Sequence, residues 1–176
     1  MRRPAIGSVL LAGVLIAGAV VASTLAAHVP PGVLSVEGGK GVIVVRANGG
    51  LLGRLGKGSV ELVDLSTGDP WKPTLNGVTR SKRAFLRGSN VNFRILGGDY
   101  RLTVKGEGIS ISARGSGVAT MLGVAGLTGD TGIYAADVNA DCESSPDQCQ
   151  PIPTVLTRVT FGGASDTTTS TTVPSK

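Results

Sequence analysis

From Asn90 to Leu122 the chain reads NVNFRILGGDYRLTVKGEGISISARGSGVATML, apolar at alternate positions and interrupted only by glycine-containing pairs. Alternation with period two puts successive side chains on opposite sides of an extended strand, so the stretch suits a sheet with one buried and one wet face. Gly-Gly and Gly-X pairs suit the positive φ of the primed two-residue turns that join twisted antiparallel strands. Taking Gly97-Gly98, Gly106-Glu107 and Gly115-Ser116 as three such turns predicts a meander. In that register Ile95 faces Tyr100, Phe93 faces Leu102, Val104 faces Ile109 and Leu102 also faces Ile111. On the other side Arg94 meets Arg101 and Asp99 meets Arg114.

The same chemistry extends outward. Val33–Val36, Gly41–Arg46, Ser59–Leu65 and Arg83–Leu86 are short and bounded by turn residues, as strands are. A last hairpin is expected to pair Gly132–Ala136 with Val155–Phe161. A Gly-x-Gly followed by a strand recurs at residues 39–45, 56–63, 106–113 and 115–121, and reads as one turn recipe reused at unequal spacings rather than the fixed coil of a solenoid. No amphipathic helix follows residue 28. A sheet with one apolar face and no helix to cover it needs a second sheet, so the expected fold is all-β, an antiparallel β-sandwich or flattened barrel of about eight to ten strands.

The ends set the compartment. Met1–Ala27 carries Arg2 and Arg3 and then no charge from Pro4 through Ala27. As a helix, Ala5–Ala27 measures about 34 Å against a hydrocarbon core of ~30 Å. Residues 1–27 are therefore expected to form a signal peptide or a transmembrane anchor, with Thr24 and Ala26 offering the small positions of a cleavage site. In both cases the arginines stay in the cytoplasm and the rest is translocated, so the protein is placed at the cell membrane, single-pass with its domain outside, or secreted. Residues 28–163 are long enough for one domain. Residues 164–176, ASDTTTSTTVPSK, are expected to be a disordered tail, having no apolar face to bury. The net charge of +5 overstates the domain's basicity, because Arg2, Arg3 and Lys176 lie outside it.

Several patterns suggest chemistry and most exclude it. Residues 53–59, GRLGKGS, lack the leading Gly, the Ser or Thr after the Lys, and the following helix of a phosphate loop. Nucleophilic catalysis needs a base, and the one His is His28, beside the expected membrane segment. A hydrolase using paired carboxylates is the only enzymatic reading left. The run Asp137, Asn139, Asp141, Glu143 places oxygens at alternate positions as calcium loops do, with Gln148 twelfth, but Cys142 replaces the turn Gly and Gln148 lacks a bidentate carboxylate. No metal or other cofactor is assigned. Cys142 and Cys149, in a turn-rich loop of an exported protein, are expected to form a disulfide. Arg94 facing Arg101, with Arg114 a strand away, suggests an anion-binding face; export excludes nucleic acid and leaves anionic envelope polymers or lipid headgroups. Trp71, between two prolines, is expected to lid the core edge rather than stack on a sugar.

The segment GGDYRLTVKGEGISISARGSGV, residues 97–118, resembles a stretch in exported glycine-rich β-domain proteins of actinobacteria that have no known activity. A Gly-Gly-x-Tyr-Arg unit there precedes two Gly-x-Gly strands. The resemblance implies fold and compartment, and marks the Cys142–Cys149 loop as an insertion. The expected function is an envelope-associated or secreted non-enzymatic β-domain with a structural or binding role. A carbohydrate- or calcium-binding extracellular module is the first alternative.

Overall fold

The computed structural model describes residues 31–127 and 129–163. Within them the chain forms eight strands: β1 (Gly32–Asp64), β2 (Thr74–Leu75), β3 (Val78–Thr79), β4 (Arg83–Ile95), β5 (Asp99–Gly123), β6 (Ile133–Asp137), β7 (Gln150–Pro151) and β8 (Thr157–Phe161). Every pairing is antiparallel. The sheet is not closed. The single helical feature among these residues is a 3-10 turn at Pro146–Gln148. The hydrophobic segment 1–27 and the tail 164–176 lie outside the described residues.

The three-hairpin meander does not form. β5 runs unbroken through Gly106 and Gly115. β4 and β5 do not pair, because β1 lies between them in the order β3-β2-β4-β1-β5-β8. Ile95 faces Leu51 and Phe93 faces Gly53, while Tyr100 faces Ala47 and Asp64 and Leu102 faces Val45 and Leu62. The side of the sheet that each residue takes is nevertheless the one its alternation dictates, with Tyr100, Leu102, Val104, Ile109, Ile111 and Ala113 all buried.

Glycine explains the difference, since it permits a corner as readily as a reversal. β1 bends near residues 39–41, 49 and 56–58, and β5 bends near 106–108 and 115–117. Each pairs different neighbours on the two sides of each bend. Residues 41–48 of β1 pair with 99–106 on one edge and 116–123 on the other, whereas residues 49–57 pair with 107–115. The glycines meet at these corners: Gly58 is the register partner of Gly106, and Gly49 of Gly115. Their φ values are +145°, +146°, +137° and +144°. A Cβ on Gly58 would overlap the Lys105 carbonyl oxygen, and one on Gly106 the Lys57 carbonyl oxygen. The two backbones thus pass too closely for either to carry a side chain.

The bent strands sort into two runs of neighbours. One runs β3, β2, residues 89–95 of β4, 49–57 of β1, 107–115 of β5, 32–40 of β1, β6 and β7. The other runs residues 83–88 of β4, 58–64 of β1, 99–106 of β5, 41–48 of β1, 116–123 of β5 and β8. Both contribute to a single apolar core, Leu34, Leu51, Phe93 and Ile109 from the first, Val45, Leu62, Leu102 and Met121 from the second. Residues 96–98 form an arch that carries the chain from one run to the other. The Gly49 N–H donates to the Gly98 carbonyl at 3.0 Å and the Leu65 N–H to the Asp99 carbonyl at 2.7 Å. The expected last hairpin also pairs differently. β6 joins β1 and the two-residue β7, and β8 joins the end of β5. Pro151 and Pro153 cannot donate to a ladder, so β7 stops and the chain moves on to the free edge of β5.

Candidate functional site

On the first run, side chains alternating with the core ones point away from it and form a groove of about 620 Å³. Its floor comes from residues 32–40 and 49–57 of β1 and 107–115 of β5, and its wall from the loop after β6, through Asn139, Asp141 and Glu143. Arg54 organises the floor. Its Nη2 lies 3.2 Å from Glu37 Oε1, and its Nε donates to Ser110 Oγ at 3.4 Å. Leu52, half exposed, adds an apolar patch on the same side, and Ser112 and Arg114 complete the floor. The arrangement offers charged donors and acceptors on rigid strands around a small apolar surface, which suits a ligand rich in hydroxyl groups.

The wall is braced from within. Cys142 and Cys149 are joined, with their Cα atoms 5.8 Å apart. Cys142 is buried, and its N–H donates to Ser35 Oγ at 2.8 Å, which pins the loop to β1. The Asp141 carboxylate accepts the N–H groups of Glu143 at 3.2 Å and Ser144 at 3.1 Å. The bond from Ser144 is the main cause that holds its carboxyl below the usual range. The Asp137 carboxylate accepts the Val138 N–H at 2.6 Å. These oxygens therefore serve the loop's own backbone. Among the described residues, no three His, Cys, Asp or Glu side chains gather where a metal ion could bind.

The three arginines singled out in the sequence do not form one face. Arg94 faces Leu52 and Thr74, not Arg101, and Arg114 faces Val33 and Gly50 on the groove floor. Arg101 belongs to the other run, opposite Arg46 and Val63. Asp99, expected to face Arg114, instead accepts the Asn48 Nδ2 at 3.0 Å. Like charges do oppose each other across strands, but the pair is Arg46 and Arg101. Trp71 is 47% exposed and its ring covers Gly97 at the arch, away from the groove.

Sequence reasoning missed Arg54, Glu37 and Ser110. Arg54 sits within GRLGKGS, whose glycines drew attention to phosphate chemistry. No local signal joins the three, because they meet only through pairing of β1 with β5. Compared with known proteins, the chain matches no protein-family model, and no curated protein or solved structure is significantly similar to it.

Proposed function

We propose that the protein is a non-enzymatic binding module of the cell envelope or the extracellular space, and that its ligand is a carbohydrate held in the groove on the first run. The observation that carries the reading is the Arg54, Glu37 and Ser110 set, presented on strands beside a disulfide-braced wall. Planar charged groups and hydroxyls fixed by the backbone recognise sugar hydroxyls with little ordering cost. The uncharged run Pro4–Ala27 and the disulfide support work outside the cytoplasm. With it goes the finer architecture, in which the two runs are the layers of a β-sandwich and residues 1–27 a hydrophobic helix that leads into it.

Glu37 and Glu143 both line the groove, which is the specific observation behind a hydrolase reading. Three features favour binding over turnover. Glu37 is engaged by Arg54, Asp141 is shifted away from the protonated form that a general acid needs, and the one His in the sequence is His28. Calorimetric titration of the full chain with a panel of envelope glycans tests the proposal. Binding should weaken about tenfold or more in Arg54→Ala. Absence of binding across the panel, or release of new reducing ends from any glycan, overturns it.

A further inference from the structure

The side of the second run that faces away from the core carries a charge pattern that no single stretch of sequence reveals. Strand register brings together Arg83 and Arg87 of β4, Arg101 and Lys105 of β5, Arg46 of β1 and Arg158 of β8. All six are exposed. Glu61 is the carboxylate set among them, and it is taken up by Arg83. Asp99 lies at the rim and accepts from Asn48. Among the described residues the other five cations take part in no ion pair. Arg46 and Arg101 stand directly opposite each other, a placement that destabilises a sheet unless an anion lies over it.

Apolar groups fill the gaps between these cations. Val44 and Val63 are half-buried within the face, and Phe85 is 60% exposed between Arg83 and Arg87. A soluble polyanion has no use for an exposed Phe and half-buried valines between the charges. The boundary between headgroups and acyl chains satisfies both, because anionic phosphates meet the guanidinium groups while Phe85 enters the apolar edge.

From this we infer that the outward side of β4, β1, β5 and β8 in the second run is a docking face for an anionic phospholipid surface. The domain lies down on the membrane by this side, and the groove, built on the other run, stays turned toward the aqueous space. The inference shares with the proposed function only its placement outside the cytoplasm. Arg54 and Glu37 take no part in it, so failure of the carbohydrate reading leaves it standing.

The test uses the full chain in nanodiscs, with a Phe85→Trp reporter in a Trp71→Phe background and lipids brominated in their acyl chains. With anionic phosphatidylglycerol in the discs the reporter should lose about half of its emission, and with phosphatidylcholine alone it should lose little. Arg46→Glu with Arg101→Glu should abolish the loss, and so should Arg87→Gln with Lys105→Gln, which guards against misfolding of the first pair. Arg94→Glu alters charge on the other run and should leave quenching unchanged. Equal quenching by both lipids, none by either, or an effect of Arg94→Glu as large as that of the double variants overturns the inference. So does relief of quenching by soluble polyphosphate at or below the charge concentration of the lipid, which makes the occupant a polymer. Quenching that persists when the lipid is replaced by a brominated neutral detergent also overturns it, since anionic lipid is then not needed.

Discussion

Single atoms decide most at the corners. Because Gly58 and Gly106 oppose each other with φ near +145° and each Cβ position overlaps a carbonyl oxygen of the partner strand, either residue changed to Ala forces two backbones apart. Gly106→Ala is expected to cost about 3 kcal/mol or more, or to prevent folding altogether. Gly88 is the contrast: it pairs with Gly58 from β4, has open space at its Cβ position and does not take a positive φ. Gly88→Ala should be neutral or stabilising by up to about 1 kcal/mol, through the unfolded chain. Urea denaturation of both variants decides the matter, and similar losses would show that close approach is not what selects glycine. Tyr100 supplies a second test. It is fully buried, its hydroxyl finds no hydrogen-bond partner among the described residues, and burial pushes its ionisation well above the ordinary phenol range. Tyr100→Phe removes an unpaired polar atom and keeps the ring, so stability should rise by about 1 kcal/mol, with a melting point about 3 °C higher. A lower melting point would mean that the hydroxyl is satisfied in solution.

The loops carry the next set of expectations. The Cys142–Cys149 loop is short, and on the chain-entropy account its closure contributes about 2 to 2.5 kcal/mol. Ser35→Ala removes the acceptor of the Cys142 N–H and should cost about 1 kcal/mol on its own, with the disulfide still formed. If Ser35→Ala leaves the unfolding midpoint unchanged, the loop is not held to β1 through that contact. Asp130, in the connection from β5 to β6, titrates below its ordinary value because it accepts the Gly132 N–H and lies near Lys40. A depressed carboxyl contributes stability that is present above the unfolded value of 3.8 and is lost as pH falls through the lower folded value. The acid limb of stability against pH should therefore be shallower below about pH 4 in Asp130→Asn than in the natural chain. Which way each residue points was legible, since Val91, Phe93, Ile95, Tyr100, Leu102, Val104, Ile109, Ile111 and Ala113 are all buried as alternation dictates, and Leu96, next to Ile95 at the arch, is the apolar residue left exposed. Which strand it faces was not. A glycine pair signals that the chain changes direction but not by how much, and a β1 strand arriving from far upstream competes for both edges of the expected hairpins. The disulfide was legible because its partners are local. The Arg54 and Glu37 contact was not, because β5 stands between their strands.

At the scale of the molecule the two outward sides differ in kind. One holds a groove with paired charges and hydroxyls, and the other a field of cations, five of the six without an ion pair among the described residues, around valines and Phe85. The whole is held by pairings between distant parts of the chain, since Gly32 meets Gly115 and Asn48 meets both Asp99 and Ser116. Topologies of this kind fold in about milliseconds to seconds, slowly for their size. A chain that stops at residue 98 has β1 without β5 on either side, and should show no dispersed amide spectrum. A folded truncated chain would mean that β1 and β4 suffice. The bent, shared β1 thus also sets a timetable. A ribosome that has released only the first half of this protein has released nothing able to settle until β5 follows it.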